Sequence, residues 1–356
     1  MNITFLISSL TGGGAERVTA NIANYMVAKG NEITILTMTD IKETYKIDKR
    51  IRIVPLILQK ERKNIIYNYY LRYKKLGNYI QKSKQDCYIV MLPITIILML
   101  LQRNKITAKV IVSERNDPSK YNIIEKFFMQ ILKGRADAWV FQTEEAARWY
   151  QLKKDTYIIP NAINPIFLEK RIETAKEKTI VTVGRLTKQK NTALIIKAFV
   201  LLSQEFPDYQ LFIYGEGELL SKCERLVADN GIADKVRFCG YVSDIENKIA
   251  KASLFVLGSN YEGIPNALIE AMALGVPCIS TNCPVGGPRS VIKNNVNGML
   301  VECGDIKGMY QAMKKVLSDN NFALMLSKNA ISVRESLNPK VIYNKWELII
   351  KKTVGI

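Results

Sequence analysis

Residues 262–280 read EGIPNALIEAMALGVPCIS, and the fold turns on what that stretch can be. It follows an apolar run, SLFVLG (253–258), and a short turn, so the chain passes from a strand through a loop into a helix. Pro265 fits the first helical position, where a missing N–H costs nothing. The N–H groups of Asn266, Ala267 and Leu268 then point out of the helix N-terminus. Unpaired amides and the positive end of the helix dipole together suit a phosphate. Glu270 lies in the second turn, far enough along to reach past a phosphate toward a ribose, whose two hydroxyls a carboxylate can accept. Glu262 stands on the loop before the helix, at the carboxyl end of a strand, where open α/β sheets bind ligands.

Working outward, residues 183–191 (VGRLTKQKN) form a second strand–turn–helix junction, with Arg185 and Lys190 on the turn. Two cations there can neutralise a diphosphate. Near the start of the chain, LTGGGAERV (10–18) follows the first strand, and its glycines allow close backbone approach ahead of a helix. A dinucleotide-binding loop is the rival reading, with Asp40 placed as its ribose acid. That loop needs glycine where Arg17 stands. A fourth cluster, Glu114, Arg115, Asn116 and Asp117 in VSERNDP (112–118), ends another strand.

Between these junctions, short apolar strands alternate with amphipathic helices. Strands are expected at 3–8, 32–38, IRIVPLI, CYIVML, KVIVS, DAWVFQ and TYIIP in the first half, and at TIVTVG, LFIYG, VRFCG, SLFVLG and PCIST in the second. Helices are expected from 15 to about 29, over 191–204 and over 339–352. The pattern predicts parallel sheets covered on both faces, in two domains: 1–163 and 164–337, with a turn at NAINP (161–165) between them. The apolar stretch 87–101 is too short for a membrane span, which needs about 20 residues. It reads as a buried strand, a break at Pro93 and a buried helix.

The whole 262–280 stretch resembles the E-x7-E signature of glycosyltransferase family 4, including the A-M-A-x-G-x-P that follows. GRLTKQK (184–190) is similar to the family's G-R-L-x-x-Q-K, and GGGAERV to its N-terminal loop. The P-x-G-G-P-R form at 284–289 and S-x-R-N-D-P at 113–118 resemble bacterial cell-surface polysaccharide transferases. The resemblance implies a GT-B fold, α/β, with two Rossmann-like domains facing each other across a cleft, and a terminal helix (338–356) packing back on the first. It implies retaining sugar transfer from a nucleotide diphosphate-sugar, of uridine type, to a glycan or lipid-diphosphate-linked acceptor. Glu262, Arg185 and Lys190 become the catalytic set. Gly13, Gly14, Gly184, Tyr241, Gly263, Ile264, Asn266, Ala267, Leu268 and Glu270 become donor contacts, and Glu114, Arg115, Asn116 and Asp117 acceptor or sugar contacts. Relatives often carry a histidine on the acceptor side and a Glu in the loop 283–291. Here the first is missing and the second slot is Ser290, which leaves that loop without an assigned role.

Composition narrows the chemistry. The chain has no histidine, so imidazole metal sites and Ser–His or Cys–His nucleophile pairs are excluded. No two aspartates are separated by a single residue, so there is no D-x-D to hold a metal on a diphosphate. No cofactor and no metal are expected, the nucleotide-sugar being a co-substrate. Six scattered cysteines and no signal-peptide layout suggest reduced thiols in the cytoplasm. The net charge is +18. Residues 42–84 hold thirteen Lys and Arg against Glu43, Asp48 and Glu61, a patch suited to an anionic membrane. No nucleic-acid motif accompanies it. The protein is therefore expected to be peripheral on the inner face of the cytoplasmic membrane. A phosphorylase or nucleotide-sugar epimerase on the same fold, or a non-catalytic basic membrane-associated subunit on a degenerate transferase fold, are the alternatives.

Overall fold

A computed structural model describes residues 1–40, 45–152, 155–173 and 175–356. Lys42 and Glu43 of the basic stretch lie outside the described residues. The chain divides into two compact units, one of residues 1–162 and 340–356, the other of residues 163–339.

In the first unit β1 (Asn2–Ile7), α1 (Gly14–Ala28), β2 (Glu32–Thr37), β3 (Arg52–Pro55), α2 (Ile65–Lys82), β4 (Cys87–Met91), α3 (Pro93–Leu101), β5 (Lys109–Ser113), α4 (Ile123–Leu132), β6 (Ala138–Phe141), α5 (Glu144–Tyr150) and β7 (Asp155–Ile158) follow in turn. The strands make a parallel sheet in the order β3-β2-β1-β4-β5-β6-β7. All five residues of β4 are buried. That is what a strand covered on both faces requires, and it explains why this run reads as continuously apolar. Pro93 opens α3, as its missing N–H and fixed φ favour.

The second unit runs α6 (Pro165–Glu169), β8 (Glu177–Val183), α7 (Thr192–Glu205), β9 (Gln210–Tyr214), α8 (Leu220–Asp229), β10 (Val236–Gly240), α9 (Ile245–Lys251), β11 (Ala252–Leu257), α10 (Asn266–Ala273), β12 (Cys278–Thr281), α11 (Gly287–Val291), β13 (Met299–Val301), α12 (Ile306–Ser318), α13 (Asn320–Ala330) and α14 (Val333–Ser336). Its parallel sheet has the order β10-β9-β8-β11-β12-β13. Leu194, Ile195, Phe199 and Leu202 of α7 pack with Met309 and Met313 of α12 over Ile180, Leu211 and Leu254. The terminal helix α15 (Pro339–Val354) packs with the first unit. There the Tyr25 hydroxyl donates to Asn344 (2.5 Å) and Glu347 (3.1 Å), and Trp346 is fully buried.

Each sheet reverses its strand order once, between β1 and β4 and between β8 and β11. In open α/β sheets ligands bind at the carboxyl ends beside such a reversal. The loop after β8 carries Arg185 and Lys190, and the loop after β11 carries Glu262. Two motifs far apart in sequence thus flank one switch point.

Candidate active site

The loop after β8 is fastened to the loop after β11 by hydrogen bonds. The backbone N–H of Asn260 donates to the Gln189 carbonyl (2.8 Å), and the Asn260 amide to the Lys188 carbonyl (2.7 Å). Gln189 donates to the Tyr261 carbonyl (3.1 Å). This lacing brings the Lys190 ammonium onto Oε1 of Glu262, which also accepts from the Ser259 hydroxyl at 2.8 Å. Glu262 is buried at 7% exposure, so its charge is balanced by these two partners rather than by bulk water. Gly184 donates its N–H to the Tyr214 carbonyl (3.0 Å) beneath Lys190, whose Cδ and Cε would meet a side chain placed there. Arg185 is exposed, and no hydrogen bond or ion pair among the described residues holds its guanidinium. Lys190 and Glu262 therefore meet, while Arg185 stands apart from both.

The loop 283–291 has a structural task that its sequence did not disclose. Glu262 donates its N–H to the Pro284 carbonyl (2.6 Å), and Val285 donates back to the Glu262 carbonyl (3.1 Å). A Cβ on Gly287 would fall 1.5 Å from the Gly263 carbonyl oxygen. The glycines there let one backbone lie directly on another, and Glu262 and Gly263 are held from behind.

At α10 the sequence expectation is corrected. Pro265 is the N-cap, with φ −70° and ψ 116°, and the helix begins at Asn266. The N–H of Leu268 donates to the Pro265 carbonyl (3.2 Å), as does that of Ile269 (3.3 Å). The Leu268 amide is thus spent on closing the first turn, and its side chain is fully buried. Asn266 and Ala267 are half-buried at the helix start, whereas Ile264 is buried. Glu270 is buried at 5% exposure in the second turn. Tyr241 follows β10 beside Gly240, whose carbonyl accepts from Gly215 (2.8 Å), and the residue is 84% exposed.

Ser259 and Asn260 were missed by sequence reasoning, and Gln189, though inside the quoted GRLTKQK motif, was given no role. Their only signal was that they are polar residues flanking two strand-to-helix turns.

In the first unit, the α1 N-terminus carries its own anion. Gly13 is the N-cap, Gly14 the first helical residue, and a Cβ on Gly13 would meet the Glu16 carboxylate at 1.9 Å. A donor phosphate there would compete with that carboxylate. Asp40 accepts from the Gln59 N–H (2.8 Å) and from Arg62 (2.8 Å), so it serves the loop after β3.

The cluster after β5 turns inward. Glu114 is 1% exposed and accepts from the Tyr121 hydroxyl (2.5 Å), the Tyr150 hydroxyl (2.6 Å) and the N–H groups of Arg115 (2.9 Å) and Asn116 (3.1 Å). Burial pushes its carboxyl above the usual range, and the two phenols and two amides hold it back only in part. Arg115 is also buried: it donates to Ser113 (2.7 Å) and to Asn161 (3.3 Å), and stacks over Trp346 at 5.2 Å. Burial lowers its guanidinium to about 9, against the opposing pull of Glu114. Asp117 is fully buried and accepts from the Ser119 N–H (2.8 Å), capping a short 3-10 turn rather than an α-helix. A sugar contact through Glu114 would require one of its four bonds to be given up. Only Asn116 of the four is half-exposed.

Comparison with known proteins accords with this geometry. The sequence model of Glycosyltransferase Family 4 matches residues 12–166, and that of Glycosyl transferases group 1 matches residues 166–333. The chain is 28% identical to a Campylobacter jejuni protein over 98% of each chain. That protein is the GalNAc-alpha-(1->4)-GalNAc-alpha-(1->3)-diNAcBac-PP-undecaprenol alpha-1,4-N-acetyl-D-galactosaminyltransferase. Among solved structures it resembles sucrose-phosphate synthase from Thermosynechococcus elongatus, with a TM-score of 0.83 at 18% identity over 99% of both chains. It also resembles Anabaena Alr3699/HepE in complex with UDP-glucose, with a TM-score of 0.81 at 15% identity over 100% and 99%. The chain is a glycosyltransferase of the family 4 type, with two Rossmann-like domains of the GT-B fold.

Proposed function

We propose that the chain moves a sugar, with retention of configuration, from a nucleotide diphosphate-sugar of uridine type to a glycan or lipid-diphosphate-linked acceptor, without a metal. The observation that carries this reading is the Lys190–Glu262–Ser259 cluster at the β8/β11 switch point. Lys190 and the exposed Arg185 are the cations there to meet a diphosphate. With no histidine and no D-x-D in the chain, charge on the departing diphosphate falls to these two and to the α10 N-terminus. Glu270 accepts from the ribose hydroxyls, and Glu262 from the sugar once Lys190 turns to phosphate.

In the step itself the acceptor hydroxyl oxygen bonds to the anomeric carbon as the bond from that carbon to the diphosphate oxygen breaks. The hydroxyl proton passes to the departing diphosphate. The lipid-linked substrate in the name of the Campylobacter relative and the UDP-glucose of the Anabaena complex support the choice of acceptor and donor class. The basic stretch supports work at the inner face of the cytoplasmic membrane.

The test is to incubate the protein with candidate nucleotide-sugars and follow nucleotide diphosphate release with and without a lipid-diphosphate acceptor, in the presence of a chelator. Acceptor-dependent release that survives chelation, with a product of unchanged anomeric configuration, is expected. Phosphate-dependent release of a sugar phosphate would mark a phosphorylase. No turnover with any donor would leave a binding subunit.

A further inference from the structure

Two helices of the first unit begin in the same way. Asn64 caps α2 by accepting from the Tyr67 N–H (2.9 Å), and Asn122 caps α4 by accepting from the Glu125 N–H (2.9 Å). Each Asn is followed by a pair of isoleucines, Ile65-Ile66 and Ile123-Ile124. All four are well exposed, reaching 79% at Ile66 and 83% at Ile123. One turn on, Tyr70 and Phe127 continue the two stripes at 56% and 60% exposure. Single exposed apolar residues are ordinary. Two stripes at i, i+1 and i+4 or i+5 are not; on α4 the opposite side carries the buried Met129 and Leu132, and the first turns of α2 hold no buried residue.

Topology puts the stripes together. α2 connects β3 to β4 and α4 connects β5 to β6, so both crossovers advance the same way along the sheet. Right-handed connections then place both helices on one face, with α3 between them. α3 packs on α4, and Gln102 at its end donates to the Tyr73 carbonyl of α2 (2.9 Å). Both helices start where their strands end, so all four isoleucines lie at the carboxyl edge of the sheet.

Lys63 and Lys120, both exposed, stand just before the two caps. Lys63 holds its ammonium over the Tyr67 ring at 5.0 Å. Lys126 is half-buried on α4, and the nearby carboxylate of Glu125 is turned back to the Asn122 N–H (3.2 Å). A second copy of the chain docking symmetrically would set these lysines against themselves. An anionic lipid surface would attract them while taking the isoleucines into its interface.

We infer that the start of α2 and the outer face of α4 form a shallow insertion surface that seats the first unit on an anionic bilayer, with the carboxyl edge of its sheet toward the lipid. This rests on the membrane reading above and moves its centre from the basic stretch alone to a pair of apolar helix ends. α4 lies outside that stretch. Among the described residues no helix is long and apolar enough to cross a membrane, so the contact is interfacial.

The test is vesicle flotation with phosphatidylglycerol–phosphatidylcholine and with phosphatidylcholine alone, at low and high salt. Wild-type protein is expected to float with anionic vesicles and to keep part of that binding at high salt. The double variant Ile123→Ser/Ile124→Ser should lose roughly tenfold or more of the affinity, whereas Leu324→Ser, an exposed apolar change in the second unit, should lose none. Tryptophan at Ile124 (I124W) should shift its emission to the blue on anionic vesicles. Wild-type-like flotation of the double variant, or a tryptophan unmoved by vesicles, would overturn the inference. So would a wild-type dimer that Ile124→Ser makes monomeric. Transfer to a water-soluble acceptor should be unchanged in the double variant. Failure of flotation with transfer intact therefore defeats only this inference, and absent transfer with flotation intact defeats only the transferase mechanism.

Discussion

The loops around Glu262 and the loop after β5 begin from similar sequence material, a charged motif at the carboxyl end of a parallel strand, and they end differently. Around Glu262 the polar backbone is consumed in fastening three loops to one another, and Arg185 is left outward with Asn266 and Ala267 half-exposed. After β5 the charges themselves are consumed: Glu114 satisfies two tyrosines and two amides, and Arg115 is buried against Trp346. A charged turn at a ligand-binding edge is therefore no sign of ligand contact until the partners of each charge are counted.

This contrast is broken or sharpened by substitution. The largest effects belong to the second unit. Lys190→Ala or Glu262→Ala should lower turnover by about 10²- to 10³-fold, as when one preorganised charge is removed from a transition state. Steady-state kinetics with a matched donor would show it, and near-normal turnover in either variant would break the assignment. Gly287→Ala forces a methyl group against the Gly263 carbonyl. Displacing Glu262 by about 1 Å in this way should cost on the order of 100-fold in transfer while the nucleotide-binding residues remain intact.

In the first unit the effect is on stability. Glu114→Ala leaves two buried phenols and two amides without their acceptor and should destabilise that unit by about 3 kcal/mol. Calorimetry would read this, with the donor KM little changed. A large donor KM effect without loss of stability would return Glu114 to the ligand. In the second unit, by contrast, Ser259→Ala removes one hydrogen bond to the Glu262 carboxylate and should cost about 1 kcal/mol, a several-fold fall in turnover.

The smallest effect is a pH slope. The Glu114 carboxyl titrates above its unfolded value in the folded protein. Its contribution to stability is therefore complete below the unfolded value and lost as pH rises through the raised one. Glu114→Gln cannot ionise, so its melting temperature should gain on that of the wild type as pH rises from acid to neutral. A difference that shrinks over the same range would contradict the burial argument.

Much of this was legible in the sequence. Strands buried on both faces must be largely apolar, so β4, β5 and β11 announced themselves, and Gly- and Pro-rich turns marked where they stopped. That Glu262 and Lys190 stand on two strand-to-helix turns, and Glu270 in the second turn of the helix that follows, was legible because each spacing is local. The rest depended on long-range contacts. Glu114 is held by Tyr150, 36 positions away, and nothing near it in sequence says that it faces inward. The loop 283–291 supports Glu262 through backbone alone, which leaves only glycines as its trace. Pro265 was placed one residue too far into its helix because propensity fixes helix ends only to within a residue or two. The exposed isoleucines of α2 and α4 mimic a core stripe in any hydropathy pattern.

In the proposed mechanism the second unit's laced loops, not the charged cluster after β5, hold the donor's diphosphate. Calorimetric titration of UDP into the wild type, Lys190→Ala and Arg115→Ala tests it most directly. Affinity should fall by roughly 10- to 100-fold in Lys190→Ala and stay within a few-fold of the wild type in a folded Arg115→Ala. Unchanged affinity in Lys190→Ala, or its loss in a correctly folded Arg115→Ala, would contradict the account.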